Sequence, residues 1–247
     1  MQEKYVLFSI KEMEKLQKEY SDYIFRGQLK LDYKLNPGLF RDLNKIKDPY
    51  NQEKYKKEHD WFKENISKFI DISDISWSSQ GLILDKPFTQ LMQHYRYQAN
   101  LLDWSTNLKT ACFMIVNDRL FNNYTDYSVI YMIKKDYAKT RVDTKQQEIS
   151  NKDDFSIYDP LNLLGVNKNY IIPKIVLQNR RILIQNGLFT YRGVLSANLI
   201  ENEHIEKIYV KFTSELAEKI KEFNLIPKPE TDFELLVDSF IQYLLNR

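Results

Sequence analysis

Met13, Leu16 and Tyr20 fall at helical spacing among lysines and glutamates, which marks a helix with one buried face. Ser9 stands three residues before Glu12, the capping-box signature, so a first helix is predicted over about residues 10–20. Tyr23-Ile24-Phe25 then reads as a short strand that delivers Arg26, with Gly27 permitting a close backbone approach or a bulge. Trp61, Phe62, Ile66 and Phe69 share a stripe that predicts a helix over residues 52–71. Further helices are expected over about Phe88–Tyr95 and Asn107–Asp118, the latter with Ser105, Thr106 and Asn107 as available caps. Ser128–Ile133 is β-branched and aromatic, the composition of a buried strand.

Beyond residue 137 the pattern loosens. Residues 137–170 are polar and rich in Asp, Asn and Lys, which predicts a loop or insertion with short helical pieces. Ile171–Leu177, Arg181–Ile184 and Leu188–Tyr191 look like strand material. Lys207–Phe212 alternates, with Ile208, Val210 and Phe212 on one face. Thr213 or Ser214 caps a helix bearing Leu216, Ile220 and Phe223, and a capping box at Thr231–Glu234 opens a last helix to about Asn246. No repeat and no Gly/Ser- or Pro-rich linker divides the chain. The expectation is one α+β domain over residues 1–247, with an N-terminal helical half and a mixed or antiparallel β core.

Composition narrows the function classes. Hydrophobic residues make up 43% of the 247, ample for a core, so the chain is not a disordered one. The 36 basic and 34 acidic residues nearly cancel, so no strong field points to nucleic acid or to a membrane. Cys112 is the one cysteine and lies in an apolar run, the setting of a small core residue; no metal-ligand spacing accompanies it. No signal-peptide run opens the sequence and no stretch has the length of an apolar span, so a soluble, cytoplasmic protein is expected.

Three short stretches place polar groups amid large apolar ones: Phe25–Gln28, Gln93–Ser105, and Arg181 with Gln185–Thr190. A buried polar group without a partner costs roughly 1–3 kcal/mol, so these groups must answer one another or a ligand. A strand-borne Arg26 beside Gly27 can offer its planar fork to a phosphate or carboxylate, or pair with Asp103. His94 can act as an acid, a base or a donor, or can be satisfied by a backbone carbonyl. Asp103-Trp104-Ser105 can belong to a ligand site or can simply cap a helix. Gln185 can meet a ligand hydroxyl or support the Asn186-Gly187 turn. Phe25, Tyr95, Trp104 and Phe189 can stack on a flat ring or fill the core.

The same stretches resemble the FRG domain, a family named for a Phe-Arg-Gly motif. Phe25-Arg26-Gly27-Gln28 matches the name motif, and Leu35-x-Pro37-x-Leu39-Phe40-Arg41 matches the segment after it. Gln93-His94-Tyr95 and Leu101–Ser105 match the two ends of a second stretch, and Asn179-x-Arg181 through Gln185-x-Gly187-x-Phe189-Thr190 a third; together they span about residues 8–235. The centre of the second stretch departs from the family. A Gly after His-Tyr and a Pro-Thr-Arg run are replaced by Arg96, Gln98, Ala99 and Asn100, so the family's guanidinium is missing unless Arg96 supplies it.

The order Arg26, then Ser105 or Thr106, then Gln185 is similar to that of toxin-like ADP-ribosyltransferases, whose sites use a strand-borne Arg, a Ser/Thr on a second strand and an acid on a later one. That likeness implies an ADP-ribosyltransferase-like fold with NAD as substrate and a transferase or glycohydrolase reaction. Catalytic roles would fall to Arg26, His94, Ser105 and Gln185, and ligand contacts to Arg26, Gly27, Gln28, Asp103, Trp104, Thr106 and Phe189. Gln185 carries no charge to offset a developing cation, and Glu201 or Glu203 would have to supply the carboxylate. The family's company implies a bacterial toxin or phage-defence effector, with a macromolecular target or an inhibitor protein as partner. No metal is expected. The competing expectation is a binding module in which Arg26, Gln28, His94 and Asp103 recognise a nucleotide or a peptide without chemistry.

Overall fold

The computed structural model describes residues 3–31, 35, 53, 57, 101–118, 126–137, 156–158, 180–191, 205–226 and 235. Strand β1 spans Glu3–Leu7, and helix α1 spans Ile10–Glu19 behind the predicted Ser9/Glu12 capping box. Strand β2 is Tyr23–Gln28 and β3 is Leu101–Ser105; α2, Leu108–Val116, follows with Asn107 as its cap. Strands β4 (Ser128–Lys134) and β5 (Ser156–Tyr158) precede α3 (Arg180–Gln185) and β6 (Gly187–Tyr191). Strand β7 (Ile205–Phe212) and α4 (Ser214–Lys221), capped by Thr213, complete the described elements.

The strands form one seven-stranded sheet in the order β1-β7-β4-β2-β3-β6-β5. Only β1 and β7 run parallel among the described pairs; every other pairing is antiparallel. One face carries Tyr23, Phe25, Ile130, Met132, Ile208, Val210 and Phe212, which pack in a single core against α1, α2 and α4. The opposite face carries Ile24, Trp104, Val129, Tyr131, Ile133 and Leu188, and buried Leu35 joins this second core. Central strand β4 is buried on both faces, which explains why it reads as a continuous apolar run. The chain is α+β with a mixed, mostly antiparallel sheet.

Two local expectations change. Residues Arg181–Ile184, which looked like strand material, belong to helix α3. Ile182 and Gln185 are buried three residues apart while Leu183 and Ile184 are exposed, a helical periodicity that β-branched composition masked. Strand β1 went unpredicted because it is an edge of five residues held by pairing to β7, more than two hundred residues away in sequence.

Two predicted elements lie outside the described residues, the helix at 88–95 and the strand at 171–177; of the last helix predicted from 231, Leu235 is described and is helical. Of the helix predicted over 52–71, Glu53 and Lys57 are described, both helical and joined by an ion pair of 2.8 Å at i,i+4 spacing. The irregular stretch at 137–170 yields β5, which pairs with β6. Among the described residues no helix is long and apolar enough to cross a membrane, and no His, Cys, Asp or Glu cluster forms a metal-holding group.

Candidate functional site

Strands β2 and β4 pair along six positions, but β2 and β3 pair only at Phe25–Ser105. Beyond that pair the two strands part, and Arg26 sits where they do so. Thr106 N–H donates to Asn186 O, so by alternation the main-chain groups of Asp103 face β2. In place of a ladder partner, the Asp103 carbonyl accepts from Arg26 NH1 at 2.6 Å. The Asp103 carboxylate Oδ2 is farther, at 3.9 Å from the same nitrogen, beyond the 2.7–2.9 Å of a close charge-assisted bond. Of these two contacts the main-chain bond is the closer, and the Asp103 carboxylate places a counter-charge beside the guanidinium. Arg26 and Gln28, each 8% exposed, point to the sheet face opposite the helices.

Gly27 has a separate task. A Cβ there would overlap the Ala111 carbonyl oxygen and stand 2.8 Å from Ala111 C and 2.9 Å from Ile115 Cγ1. The close approach foreseen at this glycine is made by the backbone of α2. Phe-Arg-Gly thus decomposes physically: Phe25 fills the helix-side core, Arg26 faces the other way, and Gly27 admits α2.

Ser105 lies on the helix side, opposite Phe25, and is fully buried. Its hydroxyl donates to Gln185 O at 2.6 Å and accepts from Asn107 N–H at 2.9 Å. Thr110 Oγ1 also donates to Gln185 O, at 3.3 Å. Gln185 Nε2 donates to Leu225 O at 2.7 Å, just after α4. Asn186 then takes the left-handed conformation, φ 47°, that turns α3 into β6. Ser105 and Gln185 are thus brought together, but as a buried clasp joining the β3–α2 and α3–β6 turns. Arg26 shares the neighbourhood but projects from the other face. Thr106 contributes its N–H to the same junction.

Trp104 is fully buried on the Arg26 face and donates Nε1–H to Thr190 Oγ1 at 2.9 Å. Phe25 and Phe189 are equally buried, so all three rings fill the core. His94, Tyr95, Arg96, Gln98, Ala99, Asn100, Glu201 and Glu203 lie outside the described residues. Cys112 is buried in the helix-side core, and burial pushes its thiol pKa up to about 12.

The N-terminus of α2 is closed to ligands. Leu108 N–H donates to Gln17 Oε1 of α1 at 2.5 Å, Lys109 N–H to Asn107 Oδ1 at 2.9 Å, and Thr110 N–H to Asn107 O at 3.1 Å. A phosphate near this junction would find those donors taken, which leaves its recognition to side chains.

Sequence reasoning passed over Tyr131 and Lys207. Tyr131 stands directly opposite Arg26 on β4, and Lys207 directly opposite Tyr131 on β7. The Lys207 ammonium lies over the Tyr131 ring, 5.4 Å from its centroid. Burial raises the Tyr131 phenol pKa, Tyr209 adds to the rise, and the Arg26 charge opposes it. Strand alternation carried the signal for both residues, but the register that aligns them with Arg26 did not exist before pairing.

Residues 21–123 match the family model of the FRG domain. No curated protein and no solved structure matches the chain. The matched stretch begins at β2 and ends after α2, so it contains Arg26, Gly27, Asp103 and Ser105, the residues that make the strand parting and the junction beside it. This chain carries an FRG domain over residues 21–123.

Proposed function

We propose that this FRG domain recognises a nucleotide-type ligand through Arg26, with NAD as the first candidate. The observation that carries the reading is the placement of Arg26: a rigid central strand presents its fork at the parting of β2 and β3, held at 2.6 Å by a main-chain carbonyl. A planar guanidinium fixed in this way is preorganised for bidentate contact with phosphate or carboxylate. Strands β2, β3 and β6 are neighbours in the sheet, and they bear Arg26, bear Ser105 and follow Gln185 respectively. That adjacency supports the ADP-ribosyltransferase likeness, in which the bond from the ribose carbon to nicotinamide breaks. Nicotinamide leaves with the bonding pair, and water or a target nucleophile takes its place. A bacterial toxin or defence role, with a macromolecular target or inhibitor, belongs to the same reading.

One observation favours a second reading, recognition without chemistry. The Ser105 hydroxyl and the Gln185 side chain are both committed to buried framework hydrogen bonds, on the face away from Arg26. The experiment is NAD binding and nicotinamide release by the purified chain, with and without cell extract, comparing wild type with Arg26→Gln of verified fold. Release lost in Arg26→Gln establishes the transferase-like reading. Binding lost in the variant, with no release by either protein, establishes the recognition module. If wild type neither binds nor consumes NAD, NAD is the wrong ligand.

A further inference from the structure

The charges of β1 and β7, the two outermost strands at one end of the sheet, are sorted by face. The glutamates turn to the helix side: Glu3 pairs with Ile208, and Glu206 pairs with Met132 and accepts from the Tyr23 hydroxyl at 2.7 Å. The lysines turn the other way. Lys4, Lys207 and Lys211 alternate with those positions, and no acidic residue of β1, β4 or β7 shares their face. Tyr209 stands at the centre of the three. Lys207 and Lys211 lie two positions to either side of it on β7, about 7 Å along the strand, and Lys4 is its cross-strand partner on β1, about 5 Å away. Lys4 is exposed, while Lys207, Tyr209 and Lys211 are half-buried. Two of the ammonium groups lie over rings, Lys4 over Tyr127 and Lys207 over Tyr131, each 5.4 Å from the centroid. A lysine on an edge strand can block edge pairing, but β7 is paired on both sides, so that need does not account for Lys207 and Lys211. Overall charge does not account for them either, since 36 basic and 34 acidic residues nearly cancel. Gathering like charges on one face costs free energy that an anionic partner removes.

We propose that this lysine–tyrosine face at the β1 end of the sheet binds single-stranded nucleic acid. The lysines meet backbone phosphates as point charges, and a base stacks on the Tyr209 ring between them. Stacking needs a base face that a duplex keeps within its own stack, so the single strand is the form selected. A membrane surface is the poorer fit, because peripheral binding needs an apolar face to insert, and this one is built of lysines and half-buried rings. Neither Arg26 nor NAD enters this reading.

The test is fluorescence anisotropy of short labelled oligo-dT and oligo-U strands and of a matching duplex, with sedimentation of phosphatidylserine vesicles beside it. The proteins are wild type, the triple variant Lys4→Gln, Lys207→Gln, Lys211→Gln, and Tyr209→Leu. A second triple variant, Lys11→Gln, Lys15→Gln, Lys18→Gln on α1, removes the same charge from exposed positions elsewhere. Thermal melts verify the folds, and Lys4→Gln alone, at an exposed position, keeps the test decisive if the first triple variant does not fold. Wild type should bind both strands with a log–log salt slope of about −2, from roughly 0.7 for each phosphate met by one of the lysines. The face variant should flatten that slope and weaken binding at low salt about tenfold or more, and Lys4→Gln should make it shallower by about 0.7. Tyr209→Leu should weaken binding about tenfold at an unchanged slope, and the α1 variant should stay within about twofold of wild type. No strand binding by wild type, a slope unchanged in Lys4→Gln, or an equal loss in the α1 variant overturns the proposal. Equal affinity for the duplex, or capture by vesicles without strand binding, overturns it too, and each of these results leaves the Arg26 reading standing.

Discussion

At the scale of single residues, the Phe-Arg-Gly motif joins three unrelated physical demands within one strand. Gly27 answers the strictest of them, because the atoms a side chain would strike belong largely to the backbone of α2 and cannot rotate away. Gly27→Ala should therefore destabilise the protein by about 3 kcal/mol, the upper end of overpacking costs, measurable as a lower denaturation midpoint. A near-neutral Gly27→Ala would show that α2 does not pack as described. Arg26 answers a different demand. Its variants should change ligand affinity more than stability if its charge serves recognition, which denaturation and binding isotherms on one Arg26→Gln preparation would separate.

At the scale of elements, stability depends on how turns are tied together. Ser105 spans two elements through its hydroxyl, and Ser105→Ala would take from Asn107 N–H its acceptor there and leave Gln185 O with only the longer Thr110 bond, both in a buried site. The expected loss is about 1–3 kcal/mol, read from chemical denaturation. Gln17 caps α2 from a neighbouring helix, so Gln17→Ala should cost about 1 kcal/mol although position 17 lies in α1 and far from α2 in sequence. No change in Gln17→Ala would mean that solvent serves Leu108 N–H equally well.

At the scale of the molecule, the helix-side core shields Cys112 completely, and its thiol pKa rises from an ordinary value near 9 to about 12. The unfolded chain sheds this proton at lower pH than the native one, so the native state binds more protons between those values. Stability should be unaffected by this group below pH 9 and fall by up to about 1.4 kcal/mol per pH unit as pH rises towards 12. Denaturation of wild type and Cys112→Ala across that range checks the slope, since the variant should lose this component of it. Thiol labelling at neutral pH should be as slow as global opening of the core, and labelling as fast as that of a free peptide would contradict its burial.

Much of this architecture was legible before the chain was folded. Helix α1 with its capping box, strands β2, β4, β6 and β7, the core faces of β7 and the burial of Cys112 all follow from spacing and from side-chain type, which are local properties. The FRG motifs and Arg26 as the centre of a site were legible too, because a charged fork amid Phe, Ile and Gly has few local explanations. Tertiary structure alone decided the rest. Strand β1 exists by pairing with β7, and α3 is a helix whose buried positions the turn to β6 defines. Ser105 turns to the helix side while Arg26 turns away, an outcome of pairing at Phe25–Ser105 that a one-residue slip would reverse. The alignment of Arg26 with Tyr131 and Lys207 likewise belongs to the register of three strands, because side-chain alternation specifies a face and only pairing specifies a neighbour.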